Sequence, residues 1–314
     1  MTSTALITGI GGQDGSYLAE RLMAGGIRLV GLMRESEPPT LSPGVEADLI
    51  LGDLLDPESL RRAVDEVRPD ELYHLAAPTF VPDSWQRPAE FLSAIAGGTG
   101  ALLAAAAELV PDCRVVVVSS AEIFGDAGES PMREDTRKQP VTPYGVGKLA
   151  AHALVNAYRS RGLHASSAIT FNHESPRRPV RFLPRKVTRG AASMALGLQE
   201  ELELGNLDAV RDWSDARDVV RGLELLARAD EPGDCVFASG IGRTVGDLVD
   251  LACREAGVAP RVTVNPAFVR PADRWPLVGD PTLARERLGW VPEIPFERTV
   301  ADMVATDLAE LRGC

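Results

Sequence analysis

The sequence predicts an α/β fold, a doubly wound parallel sheet followed by a smaller C-terminal lobe. Three observations carry this. Short apolar strands and helical stretches alternate through the first half of the 314 residues, a glycine-rich turn separates the first strand from the first helix, and one strand is apolar on both faces. Alternating strands and helices with right-handed crossovers bury a parallel sheet between two helical layers, so its strands need no polar face.

Taken in order, Thr4–Thr8 is a short apolar strand, and Gly9-Ile10-Gly11-Gly12-Gln13-Asp14-Gly15 opens a helix reaching about Ala24. Arg28–Met33 is the second strand. Asp48–Leu51 runs into Gly52-Asp53-Leu54, and Pro57–Val67 is helical. Residues 71–77 read as a fourth strand and the alanine-rich span 94–109 as a buried helix. Residues 114–119, with four consecutive valines, form the strand that is apolar on both faces. After about residue 175 the alternation loosens and prolines cluster, with a return to the main sheet near 235–238. The expected division is 1–175 for the sheet domain, with later returns near 208–240, and 176–314 for most of the second lobe.

Composition narrows the function. The 45% hydrophobic and 25% charged residues suit a soluble globular chain, and a formal net charge of −12 argues against nucleic acid or an anionic membrane as the main partner. Cys113, Cys235, Cys253 and Cys314 are scattered with no CxxC. His74, His152, His164 and His173 show no metal-ligand spacing, so neither a disulfide framework nor a structural metal is expected. No apolar run approaches the ~20 residues of a membrane span, and the N-terminus enters a strand with no signal region. A cytoplasmic location is the expectation.

The glycines of the first turn, Gly9, Gly12 and Gly15, permit close backbone approach, and the helix they open presents free N–H groups to a pyrophosphate. Met33 stands where an acidic residue would hold a ribose 2′-hydroxyl, and Arg34 after it suits a 2′-phosphate, favouring NADP with NAD as the alternative. Glu35 and Glu37 oppose that reading, and an ordinary surface arginine is its competitor. Tyr144 and Lys148, four residues apart, share one helical face, and the lysine's charge is expected to lower the phenol's pKa for proton shuttling. Ser120 and Glu122 follow the valine strand at the carboxyl edge of the sheet, where ligands bind. Ser120 can hydrogen-bond a reacting oxygen; Glu122 adds a second acid/base that simple dehydrogenation does not require. Asn172-His173-Glu174-Ser175-Pro176-Arg177-Arg178 follows another apolar run. In a core these groups would carry large desolvation costs, whereas at a cleft rim two guanidinium forks suit phosphate. For an isolated run the competing reading is a solvated loop.

With these residues in view, the chain resembles the GDP-mannose 4,6-dehydratases of the extended short-chain dehydrogenase/reductase superfamily. The likeness rests on ALITGIGGQDGSYLAE from residue 5, Ser120-Ala121-Glu122, Tyr144 with Lys148, FNHESPRR from 171 and LGNLDAVRDW from 204, and it spans nearly the whole chain. The last two motifs are the specific ones.

The resemblance implies a Rossmann-type cofactor domain, a substrate-binding lobe and a GDP-hexose as substrate. It implies that Tyr144 takes the O4 proton as hydride passes from C4 to NADP, that Glu122 takes the C5 proton, that water leaves from C6, and that the hydride returns to C6. Cofactor contacts are implied at Gly9, Gly12, Gln13, Asp14, Gly15, Arg34, Asp53, Leu54, Leu75, Ala76, Ala77, Tyr144, Lys148, His173 and Arg178. Sugar-nucleotide contacts are implied at Ser84, Asn172, Lys186, Arg211 and Arg270. Glu174 and Arg177 receive no ligand and are expected to pair with one another.

The chain departs from the family pattern at Pro78-Thr79-Phe80, at Ser120 in place of threonine, at Pro179 and at Phe182-Leu183-Pro184. The segment before Asp53 is short, which points to a homodimer rather than a tetramer. Competing readings are a nucleotide-sugar 4-reductase, 4-epimerase or 5,6-dehydratase on the same scaffold, or a non-catalytic NADP-binding regulator. Glu122 with FNHESPRR weighs toward dehydration.

Overall fold

The computed structural model describes residues 3–34, 41–268 and 275–313. The first six strands are β1 (Thr4–Thr8), β2 (Arg28–Met33), β3 (Asp48–Leu51), β4 (Glu71–His74), β5 (Arg114–Val118) and β6 (Ala165–Thr170). With β10 (Asp234–Phe237) they form one sheet of order β10-β6-β5-β4-β1-β2-β3, parallel at each pairing. The order reverses on either side of β1, which leaves a crevice at the carboxyl ends of β1 and β4.

The valine strand shows why this sheet must be covered on both sides. Val116 and Val118 pack with Leu18 and Leu22 of α1 (Gln13–Ala24) and with Val219 and Leu223 of α8 (Ala216–Ala227). Val115 and Val117 pack with Leu60 and Val64 of α2 (Pro57–Val67) and with Leu102 and Leu103 of α5 (Gly98–Leu109). Side chains alternate across a strand, so four consecutive valines serve two layers, each buried side chain contributing roughly 1.5–3 kcal/mol.

Two boundaries differ from the sequence reading. The fourth strand stops at His74, because Thr8 Oγ takes the Ala76 N–H and shares that of Leu75 with its own backbone carbonyl, both at 3.1 Å from the hydroxyl, ending the ladder. The helix expected from 94 begins earlier: α4 (Pro88–Leu92) runs through a π-helical turn, Ser93–Gly97, into α5. The stretch Pro88–Leu109 is long and apolar enough to cross a membrane, contrary to the reading that no such run exists. Its packing against α2 and α6 (Pro143–Arg159) is that of a core helix.

The remaining strands make two small sheets. Strand β7 (Asn172–Glu174) pairs in parallel with β9 (Val210–Asp215), which pairs antiparallel with β11 (Gly242–Thr244); β8 (Leu202–Leu204) pairs with β12 (Val262–Val264). A separate apolar cluster, including Val187, Leu202, Trp213, Leu248 and Val300, joins α7 (Leu183–Ala195), α9 (Val245–Ala256) and α11 (Phe296–Arg312). Two shorter helices, α3 (Val81–Gln86) and α10 (Thr282–Leu288), complete the fold.

Candidate active site

The glycine turn is shaped for close approach. Gly9 has φ +73°, and a Cβ there would lie 3.0 Å from the Ala76 nitrogen. A Cβ on Gly15 would lie 2.2 Å from the Gly9 carbonyl oxygen, so no side chain fits. Gly12 caps α1 without any side-chain hydrogen bond, leaving the first N–H groups of the helix to a ligand. These residues fit a dinucleotide pyrophosphate.

Beneath the turn, Thr8 and His74 form a directional network. Thr8 Oγ accepts from Leu75 and Ala76, so its own proton goes to His74 Nδ1 at 2.8 Å. Thr99 Oγ donates to the Ile95 carbonyl at 2.6 Å and therefore accepts from His74 Nε2–H at 3.1 Å. His74 is held neutral; burial, with Lys148 adding to it, pushes its pKa down to about 3.

Opposite the turn, Ser120 caps the short 3-10 turn Ala121–Ile123, its Oγ accepting from Glu122 N at 3.2 Å. Thr142 caps α6 by accepting from Gly145 N at 3.0 Å, with Pro143 in the first turn where its missing N–H costs nothing. That places Tyr144 and Lys148 on the buried face of α6. Burial lifts the Tyr144 phenol to about 12, Ser120's hydrogen bond to it pulls the other way, and Glu122's charge adds to the rise.

The expected lowering of Tyr144 by Lys148 is therefore corrected. Lys148 Nζ donates to the Val118 carbonyl at 2.7 Å and stays 5.9 Å from the tyrosine ring centroid, too committed to offset the phenol's burial. Burial brings Lys148 itself down to about 8, with Asp14 opposing.

The 172–178 run is a clamp between β7 and α1. His173 Nδ1 donates to the Phe171 carbonyl at 2.7 Å and Nε2 faces Asp14 Oδ2 at 2.9 Å. Gln13 Nε2 donates to the His173 carbonyl at 3.1 Å, and Ser175 Oγ donates to Gln13 Oε1 at 2.9 Å. Glu174 and Arg177 do not pair with one another; each meets a different partner. Arg177 stacks 3.8 Å over the Tyr17 ring and bonds Ser16 and Glu20. Fully buried Glu174 lies 3.3 Å from Arg178 Nε without hydrogen-bond alignment, so both its oxygens lack a donor, and burial raises its pKa despite the arginine. Arg178 also stacks 3.8 Å over Phe182.

Other sequence-derived candidates are more dispersed. Asp53 Oδ1 accepts from Leu55 N at 2.8 Å, and Leu54 packs against Gly98. Ala77 packs with Tyr144 and Ile95, beside Leu75 and Ala76 in the loop over Gly9. Ser84 is buried and donates to the Val81 carbonyl at 2.7 Å. Lys186 donates to the Glu203 carbonyl and sits 4.7 Å from the Phe268 ring. Arg211 is half-buried and bonds its neighbour's carbonyl on Val210. Asn172 stands half-buried on β7, Arg34 is exposed at the end of β2, and Arg270 lies outside the described residues.

Two stretches that depart from the family pattern meet in space: Phe80 and Phe182 pack edge to face at 5.6 Å, with Arg181 over both rings. Sequence reasoning missed Gly145 and Thr142, although Thr-Pro before an apolar helix is a start signal. It also gave no role to Asp212, which accepts from the backbone of Ser239 and Gly240 and the Ser239 hydroxyl, binding that loop to the strand carrying Arg211.

The family model for GDP-mannose 4,6 dehydratase matches residues 6–303. The chain belongs to the GDP-mannose 4,6-dehydratase family. Curated relatives bearing that name include one from Vibrio cholerae serotype O1, 39% identical over 98% of this chain and 94% of its own, and GDP-mannose 4,6 dehydratase 2 of Arabidopsis thaliana, 39% identical over 97% and 86%. Among solved structures, RMD from Pseudomonas aeruginosa complexed with NADPH is similar at a TM-score of 0.85 and 27% identity, covering 98% of this chain and 100% of that one. The Thermus thermophilus UDP-glucose 4-epimerase in complex with NAD is similar at 0.86 and 26%, covering 97% and 98%. Solved structures similar to this chain thus include both an NADPH complex and an NAD complex.

Proposed function

We propose that the protein is a nucleotide-sugar 4,6-dehydratase that converts GDP-mannose, or a related GDP-hexose, to the GDP-4-keto-6-deoxyhexose. The observation that carries this is Glu122 beside the Ser120–Tyr144–Lys148 group, since a reductase or epimerase needs no base for C5. A nicotinamide dinucleotide held by the glycine turn supplies a reversible hydride acceptor, and Arg34 favours NADP over NAD.

In this reading Tyr144 acts as the phenolate, its own proton having gone to solvent, and takes the O4 proton, with Ser120 hydrogen-bonded to the reacting oxygen. Lys148, with a pKa of about 8 and so still mostly protonated at neutral pH, is the cation beside the phenolate. Glu122 then takes the C5 proton, acidified by the 4-keto group, and the same carboxyl returns a proton to the departing C6 hydroxyl. Ser84, Asn172, Lys186, Arg211 and Arg270 are proposed to hold the sugar nucleotide, and the separate cluster beneath α7, α9 and α11 supports a substrate lobe beyond about residue 175.

Incubation with GDP-mannose and NADP should yield a 4-keto-6-deoxy product. No keto product, together with turnover of an added 4-keto sugar and NADPH, would replace this reading with the reductase. We also propose a homodimer rather than a tetramer. Leu92 of α4 and Val146 of α6 are apolar side chains 37% and 45% exposed, and chromatography with light scattering tests it. A cytoplasmic location is supported by Cys113, Cys235 and Cys253, all free and buried.

A further inference from the structure

We propose that His173 is the counter-charge that allows Asp14 to stand in the phosphate-binding turn, holding its carboxylate aside and cancelling its repulsion of the dinucleotide pyrophosphate. The inference rests on the reading that the N-terminus of α1 takes that pyrophosphate. Asp14 is the acidic residue of the first turn of α1, and Gly12 offers no capping side chain. A carboxylate there is drawn to the free N–H groups of the helix. It would compete with a phosphate for those groups and repel its charge across a few ångströms of weakly screening protein.

Both oxygens are turned away instead. Oδ1 accepts from Gln13 Nε2 at 3.0 Å, and Oδ2 meets His173 Nε2 at 2.9 Å. The imidazole has no freedom to leave, because Nδ1 donates to the Phe171 carbonyl at 2.7 Å and Gln13 bonds the His173 carbonyl. With an acceptor facing each ring nitrogen, the ring carries a proton on both and a full positive charge. Burial is the largest single influence and opposes that charge, but Asp14 and the Phe171 carbonyl together outweigh it and the histidine's pKa is raised. Arg178 and Lys148 also act on Asp14 through space, but their hydrogen-bonding and closest ionic contacts are the Val118 carbonyl for Lys148 and Glu174 for Arg178, so His173 is the cation in direct contact with it. The pair joins the first turn of one element to a strand 159 residues away, so this charge balance exists only in the folded protein.

NADPH binding, read by its fluorescence in the full-length protein, tests this through a double-mutant cycle. His173→Gln should weaken binding about tenfold or more, since it leaves Asp14 unbalanced. That loss should require Asp14: the double variant should bind as tightly as Asp14→Asn alone, because removing His173 costs nothing once the carboxylate is gone. A double variant as weak as His173→Gln alone would overturn the inference and make His173 a direct contact of the dinucleotide. Unchanged binding by His173→Gln would overturn it as well. Should His173→Gln fail to fold by circular dichroism, Asp14→Asn alone decides, because a tenfold weakening there contradicts a repulsive Asp14. A parent protein that binds neither NADPH nor NADH removes the pyrophosphate site and the inference together.

Discussion

Gly145 lies against Glu122 so closely that a Cβ on the glycine would stand 2.6 Å from the Glu122 carbonyl oxygen. The helix carrying Tyr144 and Lys148 therefore rests directly on the turn carrying Ser120 and Glu122. Gly145→Ala must push these two elements apart, and a displacement near 1 Å can cost about a hundredfold in rate. The expected outcome is a kcat lowered by about that factor, with far-UV circular dichroism unchanged and NADPH still bound. A variant with parental kcat would show that the contact positions nothing.

Glu122→Gln removes the proposed C5 base while keeping its shape. Turnover should fall by about 10²–10⁴-fold, and solvent deuterium should no longer enter C5. Cofactor affinity should hold. Deuterium uptake at the parental rate would assign the proton transfer to another group.

His74 predicts a pH dependence of stability. Its pKa is about 3 in the folded protein against an ordinary value of 6.5, so between those values the unfolded chain binds a proton that the folded one refuses. Stability should therefore fall as pH drops from about 6.5 toward 3, by up to about 1.4 kcal/mol per pH unit from this group. His173 acts in the opposite sense: its raised pKa favours folding at low pH and that contribution is lost as pH rises. Urea unfolding of His74→Asn and the parent at several pH values separates the two, and the variant should show the shallower acid slope.

Arg178→Ala leaves Glu174 buried without its nearest opposing charge, with only the weaker influence of His173. Removing one partner of a buried pair costs about 3–5 kcal/mol, here reduced wherever the acid takes up a proton. The thermal midpoint should drop, and Glu174→Gln added to Arg178→Ala should restore most of it. A midpoint unchanged by Arg178→Ala would mean that the arginine's stacking on Phe182, not its charge, is what matters.

The main sheet was legible because its signals are local. Period-two and period-3.6 patterns, the valine strand and the glycine turn each lie within a few residues, and backbone sterics turn them into strands, helices and a cradle with little help from distant contacts. The Tyr144–Lys148 face was legible for the same reason. At two of the places where the sequence reading erred, a remote atom had intervened. Residues 75–77 have strand composition, yet the Thr8 hydroxyl takes the Ala76 N–H and shares that of Leu75 with its own backbone carbonyl, ending the ladder. Lys148 carries the charge expected to acidify Tyr144, but the carbonyl of Val118 holds it.

The same division runs through the 172–178 run. By itself the sequence determined that a strand ends there in a histidine, a carboxylate and two arginines, and that such groups demand partners. Only the tertiary structure decided which partners: Asp14 for His173, Arg178 for Glu174, and Glu20 with Tyr17 for Arg177. Residue type sets the cost of burying a charge, whereas the neighbour that offsets it is chosen by how β7 lies across α1, and that is a property of the packed chain.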